Sequence, residues 1–295
     1  MDIRKLHYFV TLVRERHYSR AAKILYISQP SLSNAIKKLE DEVGFKLLAR
    51  NTRSLELTEA GSLFYNRSVD LIRMYNNMIK ELKEIKQVGS GTISIGLIES
   101  AKYWLPKVVR NFKDIYPNIQ YQIKEILGEK DVIEALSRYN VHFMLTNQHI
   151  RSDEISLIPI YTEKFLLLTQ KDDVLPQNKT ITLHDLSERE LIISAPGFQT
   201  REDVLQAFKA EKISPNIYFE IERLETACSL VEEGLGITIL PESYIKYSPS
   251  SNIASRSIDS PSLERTVYIA YLENRYLSPA IFKLIGEIMA FFQEN

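Results

Sequence analysis

Apolar positions in the first sixty residues recur at helical rather than strand spacing. Ile3, Leu6, Val10 and Val13 lie three or four apart and predict an amphipathic helix over residues 3–16. Ser19 is placed to cap a short second helix, SRAAKIL, whose Ala21 and Ala22 permit close approach of a neighbour. A brief turn at Tyr26-Ile27 leads to Ser28, the expected N-cap of a third helix with Pro30 in its first turn. Leu32, Ile36, Leu39 and Val43 form its apolar stripe, and Gly44 is the expected stop. Two helices joined by a tight turn behind a supporting helix predict a helix-turn-helix. The segment from Leu47 to Leu57 reads as two short strands around a polar, basic tip, a wing.

Thr58 is the expected cap of a long helix. Along it, Phe64, Ser68, Leu71, Tyr75, Met78, Leu82 and Ile85 alternate four and three apart, a heptad seam. One helix cannot bury such a seam alone, so a partner helix and a dimer are expected. Gly89-Ser90-Gly91 marks the end of the helix and a domain boundary. From Thr92 the rhythm changes to alternating strands and helices, among them the strand TISIGLI, the helix AKYWLPKVVRNFKDIY and the strand VHFMLT. A second set follows after residue 170, and two α/β units with parallel sheets are expected.

At 295 residues the chain exceeds one ordinary core, so two or three domains are expected. No apolar run approaches the ~18–20 residues of a membrane span. The N-terminus enters an amphipathic pattern directly, without an apolar signal core. A cytoplasmic protein without a membrane partner is therefore expected. Cys228, the single cysteine, excludes an intramolecular disulfide and any multi-cysteine metal site. The five histidines (7, 17, 142, 149 and 184) show no metal-ligand spacing, so no metal or other cofactor is expected. Nucleophile elbow, Walker and dinucleotide-binding motifs are also missing, and no catalytic residues are assigned.

Net charge is −1, yet its distribution is uneven. Residues 1–60 hold eleven Lys and Arg against seven Asp and Glu, giving +4, and the remainder carries −5. A basic head on an acidic body fits one domain that meets phosphate and one that does not. At ~100° per residue, Pro30, Ser33, Asn34, Lys37, Lys38 and Asp41 point away from the apolar stripe of the third helix. Hydroxyls and amides can address base edges and phosphates, and lysines neutralise phosphate. Arg50 and Arg53 at the wing tip can reach phosphate or a narrow minor groove.

The segment FVTLVRERHYSRAAKILYISQPSLSNAIKKLEDEVGFKLLARNTRSLELTEAG resembles, end to end, the winged helix-turn-helix of the LysR-type transcriptional regulators. LVEEGLGITILPES resembles a second segment of that family, and the likeness spans nearly the whole chain. It implies an α+β multidomain protein: a winged helix-turn-helix (1–58), a linker and dimerisation helix (59–90) and a periplasmic-binding-protein-like effector domain (91–295). Subdomain I would comprise 91–161 and 266–295, and subdomain II 162–265, with a ligand cleft between them. Gln29, Pro30, Ser31, Ser33, Asn34 and Lys37 match the family's recognition-helix face, and Arg50 and Arg53 its wing. The resemblance implies double-stranded promoter DNA, a small-molecule effector, a tetramer of two dimers and RNA polymerase as partners. Two positions depart from the family pattern near the expected cleft: His142 stands where Asp is usual, and Gly128-Glu129 where Gly-Ser or Gly-Thr is favoured.

In the effector domain, Ser100 follows a strand and opens a helix, so it is either a plain N-cap or a contact for a ligand carboxylate. Thr146 and Asn147 end a strand facing the same crevice. Gln199 and Thr200 open a helix of subdomain II, although Thr200 and Asp203 also have capping-box spacing. Thr226 is a further candidate. Glu99 and Glu202 stand close by, either repelling an anion or pairing with Lys102 and Arg201. Tyr103 and Trp104 read as an apolar wall or as core. Two alternatives stay open: redox control through Cys228, and a ligand-binding protein whose N-terminal domain serves only assembly.

Overall fold

A computed structural model describes residues 1–49, 55–86, 89–173, 180–247 and 251–293. The chain divides into two compact units, Met1–Lys83 and Glu84–Asn295.

In the first unit, helix α1 (Ile3–Glu15) is capped by the Asp2 carboxylate, which accepts from Lys5 N–H at 2.9 Å. Helix α2 (Tyr18–Ile24) is preceded by His17 rather than capped by Ser19, which lies one residue inside it, a correction to the expected start. Helix α3 (Gln29–Val43) begins as expected: Ser28 Oγ accepts from Ser31 N–H, and Gly44 ends the helix at φ +79°. Leu32, Ile36 and Leu39 bury against Phe9, Leu12, Ala21, Ala22 and Leu47. Leu48 and Leu57 form an antiparallel bridge at the base of the wing.

Helix α4 (Glu59–Ile85) starts where Thr58 Oγ1 accepts from Gly61 N–H and donates to the Lys46 carbonyl. A Cβ on Gly61 would stand 1.9 Å from the Leu47 carbonyl oxygen, so only glycine lets helix and wing base meet. The expected seam divides. Phe64 meets Phe9 edge-on, and Ser68 is buried, so both face the helix's own unit. Leu71, Met74, Tyr75, Met78, Leu82 and Ile85 remain exposed.

The second unit is built on strands β1 (Ser90–Leu97), β2 (Asn118–Glu125), β3 (Phe143–Thr146) and β4 (Ile155–Gln170). They are followed by β5 (Glu190–Ser194), β6 (Asn216–Ile221), β7 (Ile237–Pro241), β8 (Ile253–Ser257) and β9 (Glu264–Leu272). Their order is β2-β1-β3-β9-β4-β7-β5-β6, with β8 also on β4. The sheet is mixed rather than parallel throughout, because β4 and β9 run antiparallel to all their neighbours. Strand β4 serves two sheets: residues 155–164 pair with β9, and residues 165–170 pair with β7 and β8. The expected subdomain limits at 161/162 and 265/266 fall inside these two strands.

Helices cover both faces. Helices α5 (Leu105–Ile115) and α10 (Pro279–Gln293) pack one face of the first sheet through Val108, Phe112, Leu284 and Ile288. Helix α6 (Glu129–Ser137) covers the other through Val132 and Leu136. Burial on both faces explains why FMLT in β3 and ITILP in β7 read as unbroken buried runs. In the second sheet, α7 (Gln199–Ala210) and α8 (Leu224–Glu232) take opposite faces, and the short α9 (Glu242–Tyr247) follows β7. The predicted single helix over 101–116 is instead a 3-10 segment, Glu99–Tyr103, and then α5, because Pro106 can only begin a helix.

Candidate nucleic-acid interface and effector cleft

On α3, Gln29, Pro30, Ser31, Ser33, Asn34, Lys37 and Lys38 are all exposed, on the side away from Leu32, Ile36 and Leu39. The Ser31 and Ser28 hydroxyls bond each other at 2.7 Å. Among the described residues no ion pair engages Lys37 or Lys38, and Glu42, four residues on from Lys38, binds Lys5 at 2.6 Å and the N-terminal amine at 3.2 Å. Glu40 fixes α3 to the wing base, its Oε1 accepting from Leu47 and Leu48 N–H and its Oε2 from Lys46. Burial pushes the Glu40 carboxyl up, but Lys46 and those N–H groups outweigh it and hold it below its ordinary value. Arg50 and Arg53 lie outside the described residues.

In the second unit the structure brings Ser100 and Thr200 together through a residue the sequence reading passed over. Arg265, on β9, donates from Nε to Glu163 at 2.8 Å, from one terminal nitrogen to Thr200 Oγ1 at 3.2 Å and from the other to Ser100 Oγ at 3.4 Å. It is 7% exposed and Glu163 2%. Burial alone would pull the guanidinium down, but Glu163 and then Asp203 hold it above its ordinary value. Glu163 also accepts from Ser243. The sequence signal was present but shared: Glu163 and Lys164 in YTEKFLLL, and Glu264 and Arg265 in ERTVYIAY, stand beside apolar runs.

Thr200 does not form the capping box with Asp203. Helix α7 has Phe198 at its N-cap, and Asp203 accepts from Gln199 Nε2 at 2.8 Å. The other Asp203 oxygen, Oδ2, is enclosed without a hydrogen-bond partner, 4.0 Å from Arg265. Burial raises this carboxyl above its ordinary value, Gln199 and Arg265 opposing. Thr146 is buried and accepts from Gln148 N–H, and Asn147 Oδ1 is enclosed without a partner. Thr226 is exposed in the first turn of α8, and among the described residues no contact joins its side chain to Arg265.

The expected local pairings are replaced by longer ones. Lys102 binds Glu225 on α8 rather than Glu99, and Arg201 binds Glu220 at 2.6 Å rather than Glu202. Glu99 is 9% exposed, and among the described residues no hydrogen bond or ion pair reaches its carboxylate. Burial first, then the Glu125 charge, push its pKa to about 7, against the pull of Arg265 and Lys102. Trp104 is core, enclosed by Tyr161, Phe291 and Phe292, while Tyr103 packs edge-on against Tyr244. Cys228 is half-buried, and burial pushes its thiol up, which lowers its thiolate character.

His142 lies away from this cluster, correcting its expected place near the cleft. It precedes β3, and its Nδ1 accepts from Ser94 N–H at 2.8 Å. The ring hydrogen therefore sits on Nε2 and points to Glu84 Oε1 at 3.0 Å. Arg275, 2% exposed, also approaches Glu84. The partner of His142 is thus a carboxylate on the last turn of α4.

Residues 3–62 match the family described as bacterial regulatory helix-turn-helix protein, lysR family, and residues 86–293 match the LysR substrate binding domain. YybE of Bacillus subtilis (strain 168), described as an uncharacterized HTH-type transcriptional regulator, is 30% identical over 295 residues, covering 100% of both chains. The regulator BenM of Acinetobacter baylyi is 27% identical over 300 residues, 99% of this chain and 97% of BenM. The crystal structure of full-length BenM compares with a TM-score of 0.63 at 27% identity, covering 100% of this chain and 97% of that one. Full-length CbnR complexed with its target DNA gives a TM-score of 0.66 at 22% identity, with 98% and 99% covered, a likeness of fold.

Proposed function

The chain belongs to the LysR family of DNA-binding transcriptional regulators, and from that premise we propose that α3 enters the major groove while a ligand in the second unit decides the outcome. The observation that carries the reading is the exposed polar face of α3, whose Lys37 and Lys38 have no anionic partner among the described residues, opposite buried Leu32, Ile36 and Leu39. Ser33 and Asn34, with Gln29, Pro30 and Ser31, address base edges and the adjoining backbone. Lys37 meets phosphate, and Arg50 and Arg53 grip flanking backbone. Family membership counts against the reading in which the N-terminal unit serves assembly alone, and the family is one of transcriptional regulators.

The exposed face of α4 from Leu71 to Ile85 is the proposed dimer seam, so two recognition helices meet a two-fold site. Two dimers form a tetramer in the cytoplasm, with RNA polymerase as a further partner on the promoter. The effector binds between the two sheets of the second unit, at Ser100, Thr146, Asn147, Gln199, Thr200 and, at the rim, Thr226. Arg265 already joins Ser100 to Thr200 there. A ligand with unequal affinity for two arrangements of this cluster shifts their populations and so regulates. Redox control through Cys228 is the other reading; Cys228→Ser separates the two, since an unchanged response leaves only the ligand.

A gel shift with the gene's own upstream DNA at two salt concentrations tests the core of the proposal. Sequence-selective binding that weakens as salt rises is expected. Binding that ignores sequence at both salts would sink it.

A further inference from the structure

The cluster around Arg265 has a definite charge. Three cations, Arg265, Lys102 and Arg223, face six carboxylates, Glu99, Glu125, Glu163, Glu202, Asp203 and Glu225. Arg265 is held by Glu163, and Lys102 by Glu225. Both of these buried or half-buried cations are thus already engaged. Two acceptors lack a hydrogen-bond partner among the described residues: the Glu99 carboxylate, on a residue 9% exposed, and Asp203 Oδ2, enclosed 4.0 Å from Arg265. They belong to different walls, Glu99 beside Ser100 in the 3-10 segment and Asp203 on α7, with the Arg265 guanidinium reaching toward both. An orphaned acceptor in an enclosed place is a free-energy cost that a donor removes.

Resting on the effector-cleft reading above, we infer that the effector is a small organic cation, an amine or amidine, whose N–H donors bind Glu99 and Asp203. A bare metal ion fits less well, because the Arg265 guanidinium already stands 4.0 Å from Asp203 Oδ2. The groups facing Glu99 are Lys102 from its own segment, Glu125 from β2, Arg265 from β9 and Glu225 from α8. Their balance, with burial, leaves the Glu99 carboxyl near neutrality at about 7. A cationic ligand therefore binds the ionised form and displaces a proton. Its affinity rises by about tenfold between roughly pH 6 and pH 8.

The test uses the full-length protein and the dialysable small molecules of its own cells, split into fractions retained by a cation exchanger and by an anion exchanger. Thermal unfolding is followed with each fraction. The cation-exchanger fraction is expected to raise the Tm of the wild type, more potently at the higher pH. Glu99→Gln is expected to need about tenfold more of it. Because Glu99→Gln removes an unpaired buried charge, it stays folded at neutral pH, so a lost response is not lost structure. A stabilising anion-exchanger fraction, an undiminished response in Glu99→Gln, or no response to the cation fraction each overturns the inference. The double variant Ser100→Ala, Thr200→Val distinguishes the two levels. An anionic fraction that needs those hydroxyls keeps the cleft and removes only the cation. A stabilising fraction indifferent to them and to Glu99 removes the cleft itself.

Discussion

Arg265 and Glu163 are direct partners across the β4–β9 ladder, and their side chains bond at 2.8 Å where those strands connect the two sheets. Each charge is costly when enclosed alone, and the pair is tolerated because each compensates the other. Arg265→Met is expected to cost about 3–5 kcal/mol of stability, measured as a lower urea midpoint. Adding Glu163→Leu should recover most of that loss. If the two substitutions simply added, the ion pair would not be the source of the effect.

On α3, Lys37→Ala is expected to weaken binding on every DNA sequence and to lower the salt slope by about one. Ser33→Ala or Asn34→Ala should cost about 1–3 kcal/mol at particular base pairs and relax preference there. Titrations over a set of single-base operator variants, at several salt concentrations, separate the two classes. A Lys37→Ala protein with altered base preference and an intact salt slope would reverse the assignment.

Met78 and Leu82 are exposed on α4, at 48% and 52%. A seam of this kind tolerates apolar partners and rejects paired like charges. Met78→Glu with Leu82→Glu is expected to move the protein toward monomer in sedimentation equilibrium and to weaken binding to a two-half-site operator far more than to a half-site. An unchanged molar mass would place the dimer contact elsewhere.

Glu99 makes a pH prediction with a definite sign. Its folded pKa, about 7, lies above the ordinary 4.5, so the folded state holds its proton more tightly than the unfolded chain. The penalty is absent below 4.5, grows as pH rises and is complete above 7. It is on the order of 3 kcal/mol in the ligand-free protein. Glu99→Gln should therefore unfold at a higher temperature than the wild type at alkaline pH and at a similar one in acid. Equal melting temperatures across the range would show that Glu99 is not enclosed and unpaired.

The helices of the first unit were legible because their signals are local. Apolar spacing identifies α1, and Ser28, Gly44 and the Thr58 bond to Gly61 act on groups within a few residues, so α3 and the start of α4 follow from local pattern. The strand–helix rhythm of the second unit was legible for the same reason. Strand β8 and helix α9 were missed because SNIASRS and PESYIKY carry little periodic apolar signal. The antiparallel directions of β4 and β9 depend on how distant segments meet. In the cleft, Lys102 and Arg201 were matched with neighbours in sequence, whereas their partners are 123 and 19 residues away. Arg265 could be seen as a lone base in a strand, but its role depends on Glu163, Ser100 and Thr200, up to 165 residues off.

Strand β9 lies between β3 and β4, although the chain reaches it only at residue 264. During synthesis the earlier strands of the first sheet emerge and wait for a middle member that arrives near the end. The DNA-reading helices, closed by short-range contacts, have no such delay. A ribosome stalled before residue 264 would therefore carry a finished reading head attached to a sensor with a gap at its centre, unable to respond.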